Sequence, residues 1–164
     1  MKSSTLSLLL GGLLLAGAAH ATDADHIRTS HAWIRVLPGD LPAGAYVTLE
    51  NDGDRPVELR GASSTVYAGV MLHQSSTAGG VSRMSMVDAL AVPAHGKAEL
   101  APAGYHLMLT QPDKPVQPGD SVTLTLKFGD GSTQATDFIA RPANALDAGD
   151  AMPAMDHGAM PDGH

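Results

Sequence analysis

Tyr105-His106-Leu107-Met108-Leu109-Thr110 decides the fold class. Side chains along a strand alternate between its two faces, so Tyr105, Leu107 and Leu109 share an apolar face and His106 and Met108 share the other. On a helix the same five residues would scatter around the axis. Val70-Met71-Leu72-His73-Gln74 repeats the pattern, with Val70 and Leu72 on one side and Met71 and His73 on the other. Both segments read as half-buried strands that keep an imidazole away from the core.

Working outward, similar short runs recur. They lie at 31–36, 45–49, 57–62, 81–87, 89–92, 97–100, 121–128 and 133–139. Turn residues separate them, including Gly79-Gly80, Pro93-Ala94-His95-Gly96, Pro102-Ala103-Gly104 and Gly129-Asp130-Gly131. Asn51-Asp52-Gly53-Asp54, between two β-prone runs, reads as a hairpin turn. No window has a helical period and no internal repeat stands out. Ten short strands with regular turns predict an all-β Greek-key sandwich or barrel.

The chain has 164 residues, enough for one domain with a core. Residues 1–21 combine Lys2, a leucine-rich run from Leu6 to Ala18 and the small-x-small close Ala19-His20-Ala21, which reads as a secretory signal peptide with Thr22 as the mature start. That apolar run is shorter than the roughly 20 residues a spanning helix needs, so no membrane span is expected in the mature form. Residues 22–28 read as a leader, 29–142 as the β-domain and 143–164 as a flexible tail with too little apolar area to offset its ordering.

Loss of Lys2 takes the formal net charge from −7 to −8, which argues against nucleic acid as a partner. Cysteine is absent, so disulfides, thiolate metal sites and the thiolate of blue-copper electron-transfer centres are all excluded. No Ser/His/Asp elbow or metal-bound carboxylate triad suggests an enzyme. A plain secreted β-sandwich remains as the alternative with no chemistry.

What remains is a set of soft and borderline donors. His73 and Met84 are separated by ten residues, and His106-Leu107-Met108 follows after twenty-one more. The β-carbons of His106 and Met108 lie about 6 to 7 Å apart on a strand rising about 3.3 Å per residue, and a hairpin at Gly79-Gly80 would bring Met84 back over His73. Two imidazoles and two thioethers are neutral and favour Cu(I) over Cu(II), while zinc rarely takes thioethers. Met71 and Met86 are read as core gap-fillers, and His26, His31 and His95 as surface residues. In the tail, Met152, Met155, His157, Met160 and His164 form a His/Met tract of a kind that commonly binds metal.

These residues closely resemble the periplasmic copper chaperones of the PCu(A)C family, whose signature H-x10-M-x21-H-x-M is matched by His73, Met84, His106 and Met108 at every interval. Ala32-Trp33-Ile34-Arg35, the run Gly44 to Asn51, Leu72-His73-Gln74, Gly80-Val81, Val92-Pro93-Ala94 and Ala103 to Leu109 also look like family positions. Gln74, Ser82 and Met86 stand where the family commonly has an acid, a methionine and a proline. The resemblance covers about residues 29 to 140.

It implies a cupredoxin-like Greek-key barrel, monomeric, that binds Cu(I) through the four signature residues. It further implies delivery to heme-copper oxidase assembly, with the CuA subunit of cytochrome c oxidase or a Sco-type protein as recipient. Periplasmic copper scavenging or storage without a dedicated recipient is the alternative. The tail resembles Met/His-rich extensions associated with a second copper site and with Cu(II).

Overall fold

The computed structural model describes residues 21–147. The expected signal peptide lies outside them except for Ala21, and so do residues 148–164 with the tail donors Met152, Met155, His157, Met160 and His164.

Ten strands form: β1 (Ile27–Arg35), β2 (Ala43–Asn51), β3 (Val57–Ser64), β4 (Tyr67–Ala78), β5 (Val81–Met86), β6 (Leu90–Val92), β7 (Lys97–Leu100), β8 (Tyr105–Pro112), β9 (Ser121–Phe128) and β10 (Thr133–Arg141). The only helical turn among the described residues is the short 3-10 segment Asp23–His26. The strands make one sheet in the order β5-β4-β8-β7-β2-β1-β10-β9-β3-β6, with β8 also pairing β2. Most neighbours are distant in sequence, and β1 runs parallel to β10, so the connections cross over as in a Greek key. Two residues, Thr65 and Val66, join β3 to β4. These strands stand far apart in the sheet order yet pack on each other, so the sheet curls around one core. The all-β domain expected from the alternation, a Greek-key sandwich or barrel, is found as this one curled sheet.

That core follows from the alternation. Leu124, Leu126 and Phe128 of β9, Phe138 of β10, Leu107 and Leu109 of β8, and Leu72 of β4 are buried together with Val47 and Leu49 of β2. Each fully buried side chain of this size contributes about 1.5–3 kcal/mol. β5 contributes nothing to the core, because all six of its residues are exposed. It is an edge strand held only by its ladder to β4.

Two boundaries differ from expectation. β1 begins at Ile27, whose side chain is buried, and the residues before it are tied down: the Asp23 and Ala24 amides donate to Asp130 and Ser132 at 2.8 and 3.0 Å. The segment read as a leader is thus part of the domain's surface, a contact between chain ends that no local pattern reveals. At the other end, Ala145 is buried with Trp33 and Tyr46 in a small second cluster, so the chain after β10 folds back over the outer face of β1 and β2.

The Asp52-Gly53 turn is a correction. It does not close a hairpin, because β2 pairs with β1, β7 and β8 whereas β3 pairs with β6 and β9. Buried Asn51 directs the chain elsewhere: its amide nitrogen donates to the Arg55 and Val92 carbonyls at 2.7 and 3.2 Å, and its amide oxygen accepts from the Gly53 N–H at 2.9 Å. The turn therefore carries the chain across to the other half of the sheet. Gly79-Gly80, by contrast, makes the expected tight hairpin between β4 and β5, with both glycines at positive φ (59° and 78°).

Candidate functional site

β4 and β8 run antiparallel with His73 opposite His106 and Met71 opposite Met108. Directly opposed residues of an antiparallel pair share a face, so these four side chains form a square on the side of the sheet away from the core. The rows continue on both flanks. Met86 of β5 is opposite His73, and Gly44 of β2 is opposite Met108 with Arg35 of β1 opposite Gly44. Tyr46 lies two residues along from Gly44, opposite Trp33.

The two histidines are 5.9 Å apart between ring centroids and tilted by 58°. His106 is buried, deeper than its off-core position suggested, because Tyr46 stands beside it at 6.5 Å between centroids. Its Nδ1 lies 3.1 Å from the Gly104 carbonyl. A carbonyl only accepts, so Nδ1 carries the hydrogen and Nε2 keeps its lone pair free for a ligand. His73 is different: its Nδ1 is buried without a hydrogen-bond partner. Burial, and secondly the neighbouring His106, pushes the His73 imidazole below its usual pKa. It is therefore neutral at physiological pH, the form that coordinates metals.

Met84, His106 and Met108 line one cleft of about 290 Å³, with Arg35, Gly44 and Tyr46 among its other walls. Met84 stands on the exposed edge strand opposite Ser75 and is 58% exposed. Of the signature residues, His73, His106 and Met108 are fixed by the β4–β8 ladder. Met84 reaches the cleft from the hairpin, one row away from the His73 row where it was expected. The Arg35 guanidinium donates to the Tyr46 hydroxyl at 2.6 Å and lies 5.4 Å from that ring's centroid. Gly44 is needed there, since a β-carbon on it would come within 2.5 Å of the Tyr46 hydroxyl.

No group of three or more His, Cys, Asp or Glu side chains suited to a metal ion occurs among the described residues. The histidine–methionine face, by contrast, gathers two imidazoles and several thioethers, a donor set suited to a soft ion. A roomier cleft of about 430 Å³ between residues 36–41 and 112–118 is lined by neither histidine nor methionine.

Sequence reasoning missed Tyr46, Gly44 and Arg35 as parts of the site. Their signal lay in the shared β2–β8 and β1–β2 registers, which are tertiary. Met71 and Met86 are not core gap-fillers: Met71 is half-buried on the histidine face, and Met86 is 68% exposed. Period two already set Met71 beside His73, and the same count from Met84 would have placed Met86. His31 and His95 are on the surface as expected. His26 is half-buried, with its Nδ1 3.3 Å from Asp52.

Fold and face together define a small barrel domain that presents an imidazole–thioether surface. Residues 27–139 match the family described as "Putative lipoprotein LpqE-like", and the chain belongs to this LpqE-like family. It is similar to "Putative lipoprotein Lxx21020" of Leifsonia xyli subsp. xyli, 29% identical over 141 residues that make up 81% of this chain and 84% of that one. Among solved structures it resembles the copper-bound PCuAC domain from PmoF2, with 26% identity, 75% of this chain and 98% of that chain covered, and a TM-score of 0.61. It also resembles the solution structure of CuI-DR1885 from Deinococcus radiodurans, with 31% identity, 77% and 83% covered, and a TM-score of 0.58.

Proposed function

We propose that the chain is a periplasmic copper chaperone of the PCu(A)C type, holding Cu(I) between His73, Met84, His106 and Met108. The observation that carries the reading is the pairing of His73 with His106 across β4 and β8, beside a cleft lined by Met84, His106 and Met108. Four neutral donors leave a bound Cu(I) with its single charge, and the soft thioethers discriminate against Cu(II). The solved copper-bound relatives of the same fold support this choice of metal.

The same geometry suits release. Met84 is the most exposed of the four donors and sits on an edge strand outside the core, so it is the donor most easily displaced when the ion leaves. The recipient in this reading is the CuA site of an oxidase, reached directly or through a Sco-type protein, and the chaperone acts as a monomer with no catalytic step of its own. Tail residues Met152, Met155, His157, Met160 and His164 would supply a second, weaker site able to take Cu(II).

The test is anaerobic competition for Cu(I) between the full chain and a chromogenic chelator. Wild type is expected to withhold one tightly held equivalent that the double variant His73→Gln, His106→Gln surrenders. Equal retention by the double variant would overturn the assignment. Retention by wild type with no transfer to any oxidase-assembly acceptor would make it a store instead.

A further inference from the structure

Met71 and Met86 are two thioethers that the four-residue site does not use. Both stand on its face. Met86 is directly opposite His73 in the β4–β5 ladder, and Met71 precedes His73 by two residues on the same side of β4, opposite Met108. Together they line a cleft of about 310 Å³ on the flank away from Tyr46, with Asp88 among its other walls. The basic residues of that cleft are Arg60 and Lys127, and the Arg60 guanidinium is engaged by Glu58. Met86 is the most exposed methionine among the described residues, a placement that core filling does not explain.

The two histidines are also unequal. His106 is pinned by the Gly104 carbonyl and faces the cleft of Met84 and Met108. His73 has no such tie on its buried Nδ1; it lines neither cleft, but the register sets it opposite Met86 and two residues along β4 from Met71. An imidazole without a partner can turn about its side-chain bonds at no cost in lost hydrogen bonding, whereas a pinned one cannot.

We propose that Met71 and Met86, with His73, form a second Cu(I) position that shares the His73 imidazole with the first, so that the ion steps from the Met84–His106–Met108 side to the Met71–Met86 side on its way out. The inference rests on the chaperone reading and adds the direction of exit. The step is ligand exchange only: Met71 and Met86 replace His106, Met84 and Met108 around an ion whose oxidation state does not change. Three neutral donors of which two are thioethers still favour Cu(I). Asp88 is the one acidic residue of that cleft, where Lys127 offsets its charge, so the thioethers and not a net field would hold the ion there.

The full chain carrying methyl-13C methionine, titrated anaerobically with Cu(I), tests this. The methyl signals of Met84 and Met108 should move first, followed or accompanied by those of Met71 and Met86. In chelator competition, Met84→Leu should lose no more than about tenfold in affinity because the ion falls back on the second position. Met71→Leu, Met84→Leu, Met86→Leu should lose about a further tenfold or more. Leucine nearly conserves methionine's volume, and unchanged signals from the remaining methionines report an intact fold. If Met84 and Met108 respond while Met71 and Met86 stay fixed, and the single and triple variants bind alike, the second position does not exist and the chaperone reading stands. If none of the four responds to Cu(I), the chaperone reading itself fails.

Discussion

His73 and His106 oppose each other across β4 and β8 with their rings 5.9 Å apart, but only His106 has its Nδ1 held, by the Gly104 carbonyl at 3.1 Å. Two imidazoles on the same face thus have different freedom. The expected outcome in long-range 1H–15N spectra of the copper-free protein is a single Nδ1–H tautomer for His106 and no single fixed tautomer for His73. A His106 ring protonated at Nε2 instead would contradict the geometry and remove the lone pair the site needs.

Gly44 sits where the outer face is tightest. Alanine there places a β-carbon within 2.5 Å of the Tyr46 hydroxyl, and Tyr46 cannot retreat freely because it stacks on Trp33 at 4.6 Å and accepts from Arg35. Overpacking of this kind costs about 1–3 kcal/mol. Gly44→Ala should therefore lower the denaturation midpoint, and Cu(I) affinity should fall with it because Tyr46 shares the cleft with His106 and Met108. Urea unfolding with and without Cu(I) checks both effects.

Asn51 is the polar pivot of the β2–β3 crossing. It is buried, and its side chain makes three hydrogen bonds with the backbone. Alanine would strand two carbonyls and one N–H, at about 1–3 kcal/mol for each buried group left unsatisfied. Asn51→Ala should be among the most destabilising single changes outside the apolar core, measured by chemical denaturation. Copper affinity of the fraction still folded should stay near wild type, since the turn is remote from the histidine face.

Much of the fold was legible from local pattern. All ten strands coincide with the short β-prone runs, and the half-buried ones alternate as they must: β9 buries every second residue from Val122 to Phe128. What was not legible was pairing. Asp52-Gly53 has the composition of a hairpin turn, yet the hydrogen bonds of Asn51 send the chain to the far half of the sheet. The site divides in the same way. His106 and Met108 were placed together by period two, but the opposition of His73 to Met86 rather than Met84, and the approach of Tyr46, depend on inter-strand register. Ala145 offered no sequence signal at all, because its burial comes from a small residue meeting two aromatic rings brought together by other strands.

Asp52 supplies a pH dependence away from the histidine face. Its carboxylate accepts from Arg28 Nη2 at 2.9 Å and lies 3.3 Å from His26 Nδ1, and the Arg28 hydrogen bond first, then that of His26, holds its pKa below the ordinary carboxylate range. A carboxylate whose folded pKa is depressed binds protons more weakly folded than unfolded. Its stabilisation is complete above the unfolded pKa and is lost as pH falls through the folded one. Thermal melts from neutral pH down through the carboxylate range should show wild type losing stability more steeply than Asp52→Asn at the acid end. Parallel acid limbs would show that this exposed pair contributes nothing.

Trp33, the sole tryptophan, reports directly on the chain that follows β10. Trp33 is buried against Tyr46 and Ala145, and the backbone bends there through the Ala145 N–H donating to the Pro142 carbonyl at 3.0 Å. An aspartate at 145 would have to bury its charge beside two rings or swing away, and burying an unpaired carboxylate costs far more than the contact supplies. Ala145→Asp should therefore lift the start of the tail off the aromatic pair and expose one face of Trp33. The expected signature is a red shift of tryptophan emission with the barrel's circular dichroism unchanged. An emission maximum that does not move would mean that the segment after β10 does not cover Trp33 in solution.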